Sequence, residues 1–415
     1  MLFLTKLRSL IKPLVSFLKW VALGLIMGVV GGLIGTAFYH TLNFVTGLRQ
    51  GSPWLIFLLP LGGALTVGIY YLLRLKENHG TNDIIDLVLS NKRVSFAVAP
   101  AIYLSTAITH LFGGSAGREG AALQMGGSVA STLGRALRLK NEEQTALIIS
   151  GMSAVFAGIF GTPLTACLFT MEFEAVGSIF SPALLPCFLS ALVASKVAGL
   201  CGVHAETAVR DFAVDLNLSN TWKFVLLGIV VSLLGVAVCF VFHKAEYLAE
   251  KYIKSPWLRI VLGAVIIVAL SFIFGNGKFN GAGMEMALSA IEGNAKWYFF
   301  AIKIIFTAIT LAAGFKGGEI VPTFCIGATF GAVLGPVLGI DAGFAAALCL
   351  VGLFCATTNS PLASIALALE IFGSKSIYLF VLICVIAFAV SGRWGLYKSQ
   401  IFRFSKLPTA ESEKK

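Results

Sequence analysis

Charged residues are scarce in this sequence: only 12% of its 415 residues are Asp, Glu, Lys or Arg. A soluble domain carries about twice that fraction, so the composition excludes a soluble globular protein. Hydrophobic residues make up 57% of the chain, and the mean hydropathy is +0.89. Several apolar stretches are long enough to cross a bilayer, which takes about 20 residues, whereas others are short or interrupted by Gly or Pro. The sequence therefore predicts an all-α polytopic protein of the cell membrane.

The sequence also lacks any pattern typical of a metal site or a disulfide framework. Its 8 cysteines are scattered through apolar segments without a Cys-x-x-Cys pair, and its 5 histidines have no metal-ligand spacing. Free cysteines in such segments usually act as small hydrophobic packing residues. We therefore expect no metal and no cofactor.

Positive charge is concentrated near the two ends of the chain. Four basic residues lie between Lys6 and Lys19, and five lie between Lys398 and Lys415. Because basic flanks stay on the cytoplasmic side of a membrane, both termini are predicted to be cytoplasmic. The apolar run from Val21 to about Phe44 has no obvious cleavage site, so we expect a retained helix instead of a signal peptide. This charge bias accounts for the net charge of +11 without a nucleic-acid partner.

Two distant segments of the chain repeat each other. Pro163 begins a Pro-Leu pair with Glu172 nine residues later, and Pro361 begins a second Pro-Leu pair with Glu370 at the same spacing. Both glutamates are expected to be ordinary carboxylates at helix ends, facing water or a basic partner.

A second match lies upstream, in the same order. The segment 114–119 aligns with 314–319, which pairs Glu119 with Glu319, and Gly127 aligns with Gly327. Internal repeats with interrupted helices in corresponding places are typical of a transporter whose site lies between the repeats near the bilayer midplane.

These features divide the chain into five predicted segments, and no soluble domain is expected after about residue 400. The segments are a cytoplasmic N-terminal segment (1–20), a first transmembrane repeat (21–201), a connector (202–221), a second transmembrane repeat (222–397) and a short cytoplasmic tail (398–415).

One glutamate stands in a glycine-rich interruption of the apolar sequence, Gly113-Gly-Ser-Ala-Gly-Arg-Glu119-Gly120. An ionisable residue in a membrane segment is a functional-site hypothesis by default. The glycines favour an unwound turn before a helix that is predicted to start near Ala121, and a helix N-terminus attracts anions. Ionised Glu119 can occupy that anion site and leave it once protonated, which would couple anion and proton movement. The structural alternative is a glycine-packed kink in which Glu119 pairs with Arg118.

The same stretch contains Gly113-x-Ser115-x-Gly117, which matches the nucleophile elbow of hydrolases, with His110 nearby. That motif requires a preceding strand, whereas residues 102–112 are an apolar membrane run. No triad acid stands at a sensible spacing. A transporter is therefore expected over an enzyme, and a hydrolase centred on Ser115 is kept as an alternative.

With the motif Gly-Ser-Ala-Gly-Arg-Glu-Gly (114–120), the chain resembles the CLC family of chloride channels and chloride/proton antiporters from about residue 20 to 400. The resemblance implies a CLC-type inverted repeat of tilted and broken helices. It also implies a homodimer in which each subunit has its own pore. Glu119 then corresponds to the gating glutamate of the family.

Departures from the family pattern favour one branch. Chloride-type members have Gly-Gly-Ile-Phe-Ala-Pro where this chain has Gly317-Gly-Glu319-Ile-Val-Pro322, and Gly80-Thr-Asn-Asp-Ile matches the first anion-binding loop only partly. A glutamate at position 319 together with Gly-Thr-Asn resembles the fluoride/proton antiporter branch, which often has Thr in place of Val321.

In the chloride/proton branch a second, internal proton glutamate follows the helix of the first repeat. Phe173, one residue past Glu172, stands at that place. The resemblance therefore implies that the intracellular proton route of the chloride exchangers is absent.

Fluoride is small, strongly hydrated and a strong hydrogen-bond acceptor, so its selection requires closely spaced donors. Glu119 is expected to act as gate and proton carrier, and Glu319 as a second proton-handling or gating carboxylate. Tyr397 is similar to the family's tyrosine near the end of the last helix. The residues expected to bind the anion are Thr81, Asn82, Gly117, Arg118, Gly120, Gly318, Ile320, Val321 and Tyr397.

The expected partners are thus a small inorganic anion, protons, the lipid bilayer and a second copy of the chain. Chloride, moved by an antiporter or a passive channel, is the alternative substrate. Loss of transport in a Glu319→Ala variant would favour fluoride.

Overall fold

The computed structural model describes residues 2–75, 80–90, 94–203, 212–214, 217–275 and 277–407, with side chains from residue 11 onward. Within these residues the chain folds almost entirely into helices. The first eight are α1 (Leu2–Gly51), α2 (Leu59–Leu72), α3 (Thr81–Ser90), α4 (Val98–Phe112), α5 (Glu119–Ala136), α6 (Glu142–Phe160), α7 (Pro163–Glu172) and α8 (Leu184–Leu200).

Eight further helices follow. They are α9 (Leu218–Tyr252), α10 (Pro256–Ile273), α11 (Met284–Ile291), α12 (Phe299–Ala313), α13 (Ile320–Val337), α14 (Ala342–Thr358), α15 (Pro361–Phe372) and α16 (Ile377–Val390). Short 3-10 helices occupy Pro53–Leu58 and Ser181–Ala183. The series α1–α8 thus corresponds to the series α9–α16.

Helix lengths agree with a polytopic membrane protein. Seven helical stretches of the described chain are at least 18 residues long and apolar enough to cross a membrane, and further apolar helices are only 10–17 residues long. The short helices confirm that some crossings are broken. Two of them, α4 and α12, occupy matching places in the two series.

The ends of two helices differ from the predicted segment boundaries. Helix α1 is continuous from Leu2, so segment 1–20 forms one helix with the first predicted span. Helix α16 ends at Val390, because Ser391 and Gly392 begin an irregular segment, and Tyr397 therefore lies after the last helix. Much of the predicted connector (204–211 and 215–216) and the end of the tail (408–415) lie outside the described residues.

The centre of the molecule consists of two tightly packed helix pairs, α5 with α6 and α13 with α14. Every residue of α14 from Gly343 to Thr358 is buried. Backbones approach closely because the contacts contain glycine: a Cβ added at Gly126 would lie 2.2 Å from the carbonyl oxygen of Gly151, and one at Gly327 would lie 2.4 Å from that of Cys349. Small residues at helix contacts favour such close packing in membranes.

One small element joins the chain's last described segment to the first series. Strand β1 (Ala175–Val176) pairs in parallel with β2 (Ile401–Phe402). The segment after α16 therefore returns to the end of α7.

Candidate functional site

The two glycine-rich loops meet directly in the middle of the fold. The Gly117 N–H donates to the Gly318 carbonyl at 2.7 Å, and the Gly318 N–H donates to the Gly117 carbonyl at 2.8 Å. Helices α5 and α13 start immediately after this bridge. Two helix N-termini, each with unpaired N–H groups and a partial positive charge, are therefore brought to one place. The N–H groups of Gly117 and Gly318 each donate to the carbonyl of the other residue in this arrangement, and their role in anion binding stays a prediction.

Each loop begins with the same turn. Helix α4 ends at Gly113 with φ of +91°, and α12 ends at Gly314 with φ of +102°. Residues with a Cβ adopt this left-handed conformation at a cost, so glycine is the usual residue at such helix ends. The turn directs each loop back toward the opposite repeat.

Glu119 places its carboxylate at the N-terminus of the opposite helix. Its side chain is fully buried, and Oε1 accepts a hydrogen bond from the Val321 N–H at 3.1 Å. Oε2 has no hydrogen-bond partner in the described chain. It lies so close to the bridge that a Cβ added at Gly318 would be only 2.0 Å away. The carboxylate thus lies at the start of α13, whereas the sequence analysis placed the anion site at the helix that follows Glu119, and its role as gate and proton carrier stays a prediction.

The Arg118 side chain packs against two aromatic rings next to the glycine-rich loop. Its guanidinium carbon lies 4.8 Å from the Phe160 ring centre and 5.4 Å from that of Tyr39. Such cation–π contacts hold a buried arginine in place. Arg118 therefore contributes positive charge beside the site.

Glu319 lies next to the same site but is not the structural equivalent of Glu119. Helix α5 begins at Glu119, whereas Glu319 is the N-cap of α13 and Ile320 is its first residue. The alignment of Glu119 with Glu319 is therefore wrong by one residue. The bridge fixes this register because it pairs Gly117 with Gly318. The two carboxyl groups are still close enough to interact electrostatically.

Of three predicted hydrogen-bond donors, Thr81 faces the start of α5, and Asn82 and Tyr397 lie in segments that contact each other. A Cβ added at Gly120 would lie 2.9 Å from the Thr81 hydroxyl, so this hydroxyl faces the first turn of α5. The Asn82 side-chain oxygen accepts from the Ser399 N–H at 3.0 Å. That bond places Asn82 beside the segment that carries Tyr397, whose side chain is 7% exposed and interacts electrostatically with both site glutamates.

Phe173 is fully buried where the chloride/proton branch has a second glutamate. Its ring centre lies 5.6 Å from that of Tyr397, with the rings at 80°. An aromatic pair of this geometry packs through the edge of one ring. Position 173 therefore supports the tyrosine by packing.

A buried lysine that the sequence analysis did not single out holds the first glycine-rich loop. Lys303 Nζ donates to the Ser115 hydroxyl at 3.0 Å and to the carbonyls of Phe279 and Gly281 at 3.1 and 2.6 Å. The Ser115 hydroxyl also bonds to that of Thr307 at 2.9 Å. A lysine inside an apolar helix is the same kind of signal as Glu119, and it could have been found by that rule.

This network also bears on the hydrolase alternative. Ser115 and Lys303 are both fully buried, and His110 contacts the Gly117 carbonyl at 3.4 Å. A nucleophile must be reachable by its substrate, whereas the Ser115 hydroxyl is enclosed by Thr307 and Lys303. The arrangement supports a structural role for Ser115.

Glu172 is buried, so the prediction that it faces water is wrong, whereas Glu370 is partly exposed. Both carboxylates bind backbone N–H groups. The Glu370 carboxylate accepts from the N–H groups of Leu164 and Thr165, both at 2.8 Å. The Glu172 carboxylate accepts from the N–H groups of Leu362 and Ala363, at 3.2 and 3.0 Å.

The reason is the packing of α7 against α15. The two short helices lie side by side, and the glutamate at the end of each reaches the start of the other, where N–H groups lack intrahelical partners. Each helix thereby caps the other.

Two cavities adjoin the site. A narrow cavity of about 40 Å³ is lined by Glu119 together with mainly aromatic and aliphatic side chains, among them Phe156, Phe160, Phe324 and Phe354. A wide cavity of about 910 Å³ is lined by the end of α1, His110, Arg118, the segment before α11, and Val321. Since Val321 donates to Glu119, the wide cavity ends beside the carboxylate.

Residues 62–392 match the family described as "Voltage gated chloride channel". The chain belongs to this CLC family. The matched residues contain both glycine-rich loops and both site glutamates, and only α1, the first 3-10 helix and the start of α2 precede them. CLC family members are transporters, and the all-α, multi-pass architecture agrees with that class.

Individual relatives extend the match over most of the chain. A "Chloride/fluoride channel protein" of Pseudomonas syringae pv. tomato is 34% identical over 396 residues, which cover 94% of this chain and 87% of the relative. An "H(+)/Cl(-) exchange transporter ClcA" of Yersinia pestis bv. Antiqua is 24% identical and covers 83% of this chain and 78% of the relative. A solved structure described as a CLC-type fluoride/proton antiporter superposes with a TM-score of 0.89 at 30% identity, covering 92% of this chain and 98% of the other.

Proposed function

We propose that this CLC protein is a proton-coupled antiporter that exports fluoride in exchange for protons. The observation that carries the proposal is the position of Glu119, whose carboxylate accepts from Val321 N–H at 3.1 Å where two helix N-termini meet. An anion bound there must displace the carboxylate. Protonation removes the charge that holds Glu119 in place, so the ionised carboxylate and the anion exclude each other at one site, and proton uptake by Glu119 opens the site to the anion.

The number of hydrogen-bond donors predicted around this place supports fluoride, over other anions, as the substrate. We infer that the hydroxyls of Thr81 and Tyr397 and the amide of Asn82 act together with the N–H groups of Gly120, Ile320 and Val321 as donors to the anion. Replacing the water shell of a small, strongly hydrated anion requires such closely spaced donors. Glu319 adds a second carboxyl group beside Glu119, which fits a role in proton handling. The relative named as a chloride/fluoride channel and the fluoride/proton antiporter structure support the same substrate.

The arrangement in the membrane follows from the charge pattern and the family. Basic residues flank both ends of the chain, so we infer cytoplasmic termini and insertion in the cell membrane. Repeats 21–201 and 222–397 with connector 202–221 form one transport unit, and two copies of the chain form a homodimer. The lipid bilayer, protons and a small inorganic anion are the other partners.

The experiment that tests the proposal is anion efflux from proteoliposomes that contain the purified protein, with fluoride and chloride compared while external pH is recorded. We expect fluoride efflux coupled to proton uptake and little chloride movement. Glu119→Gln should abolish proton coupling, because the amide carries no titratable proton. Glu142→Gln, at the exposed first residue of α6, is the matched control and should behave as the wild type.

Glu319 distinguishes fluoride from the chloride alternative, which the exchanger from Yersinia pestis makes the second candidate. Under the fluoride proposal, Glu319→Ala removes a carboxyl group that acts in the exchange cycle, so fluoride efflux should be lost. Chloride flux equal to or greater than fluoride flux, with Glu319→Ala close to wild type, would replace fluoride by chloride as substrate.

A further inference from the structure

One wall of the wide cavity is formed by the end of α1, and the charged residues of the lining are mostly cations. Its charged lining comprises Arg49, Arg118 and Lys278 with a single carboxylate, Glu285. Cations therefore predominate around a concave space, and such a space concentrates anions because field lines focus in it.

Arg49 is the cation that lies against Gly281 in this wall. A Cβ added at Gly281 would lie 3.0 Å from Nη2 and 3.2 Å from Nη1. The guanidinium thus occupies a channel whose width depends on the absence of a side chain at Gly281. Lys303 fixes one side of this channel through its bond to the Gly281 carbonyl at 2.6 Å.

The guanidinium retains an unused donor. Nη1 is buried and has no hydrogen-bond partner in the described part of the chain. A buried N–H without an acceptor costs about 1–3 kcal/mol, so the group favours any acceptor that enters the cavity. The one carboxylate in the cavity lining, Glu285, is exposed and accepts from the Gln50 amide at 2.9 Å.

The cavity connects this donor with the transport site. Val321 lines the cavity, and its N–H holds the Glu119 carboxylate. An anion that arrives at Arg49 is therefore in the space that leads to Glu119. We propose that Arg49 forms a capture site for a small inorganic anion at the mouth of the transport pathway, separate from the site at Glu119.

The inference rests on the proposed transport function and is tested by the concentration dependence of fluoride efflux. Arg49→Gln should raise the fluoride concentration for half-maximal efflux about tenfold and leave the maximal rate within about twofold, because the exchange step at Glu119 is intact. Arg49→Lys keeps a cation in the channel and should stay within about threefold of the wild type. If the Arg49→Gln variant does not fold, the Arg49→Lys variant is measured in its place.

Lys251→Gln is the matched control. Lys251 lies in the last turn of α9, the counterpart of the last turn of α1 that contains Arg49. The control removes the same charge away from the cavity and should leave the half-maximal concentration unchanged. A half-maximal concentration for Arg49→Gln within twofold of the wild type, or an equal rise in the control, would overturn the capture site.

Failure of the capture site and failure of the proposed function give different results. Fluoride efflux with coupled protons that does not depend on Arg49 refutes the capture site alone. A wild-type protein that moves chloride instead refutes the fluoride proposal, and the Arg49 series is then read with chloride, since a guanidinium binds either halide.

Discussion

At the scale of single residues, the missing side chain of Gly318 lets Glu119 reach its place. A Cβ there would lie 2.0 Å from Glu119 Oε2 and 2.8 Å from the Glu119 backbone nitrogen. Atoms this close must move, and overpacking costs about 1–3 kcal/mol. Gly318→Ala should therefore displace the carboxylate and reduce proton movement per fluoride by roughly tenfold or more.

The measurement is the ratio of proton to fluoride flux in proteoliposomes. Gly199→Ala is the control, because a Cβ there meets no atom within 4 Å. An unchanged ratio in Gly318→Ala would show that coupling does not require the carboxylate to occupy this position beside Gly318.

Lys303 is the residue on which the shape of the first loop depends. Lys303→Met retains the volume of the side chain but leaves the carbonyls of Phe279 and Gly281 without their donor. Unsatisfied buried groups cost about 1–3 kcal/mol each, so thermal unfolding in detergent should begin roughly 4–10 °C lower. Lys223→Met removes an exposed lysine whose contact with the Gly339 carbonyl is long, at 3.5 Å, and should have little effect. Equal unfolding temperatures for the wild type and Lys303→Met would contradict this role.

At the scale of helices, α7 and α15 depend on each other. Removing either carboxylate, in Glu172→Ala or Glu370→Ala, uncaps the start of the opposite helix and should cost about 0.5–2 kcal/mol. Because both bonds act across one contact, loss of the first loosens the second. The loss of unfolding free energy in the double variant should therefore be smaller than the sum of the losses in the two single variants, by about 0.5 kcal/mol or more.

The check is a double-mutant cycle on unfolding free energy. Glu143→Ala combined with Glu250→Ala gives a control cycle, since these residues lie on different helices and form separate ion pairs with Lys19 and Arg259. Strict additivity for Glu172 and Glu370 would mean that the two caps act independently.

How much the sequence could predict depends on whether a feature is local. Apolar runs predict the helices, and glycines around an isolated glutamate predict a helix N-terminus with an anion site. The partners of Lys303 and the reciprocal capping of α7 and α15 depend on which helices lie side by side. The spacing of residues along the sequence does not show which helices are neighbours. The one-residue error at Glu319 has the same origin, because the register is fixed by the bridge between Gly117 and Gly318.

At the scale of the whole molecule, the last described segment joins the two repeats. Residues 391–407, the C-terminal clasp, contact the end of α7 through β1 and β2. Gln400 Nε2 donates to the carbonyls of Phe173 at 2.6 Å and Thr358 at 2.9 Å, one in each repeat. Tyr397 belongs to this segment, so its position near the site is set by bonds to both halves.

Gln400→Leu keeps a similar volume but removes both donated bonds, so the clasp should lose its fixed position between the repeats. Since Tyr397 moves with the clasp, a hydroxyl beside the anion site is displaced, and fluoride efflux should fall by about tenfold. Phe404→Ala alters an exposed residue of the same segment and should preserve efflux. If Gln400→Leu transports fluoride at the wild-type rate while Tyr397→Phe does not, the tyrosine is held by its packing against Phe173 and not by the bonds that join the repeats.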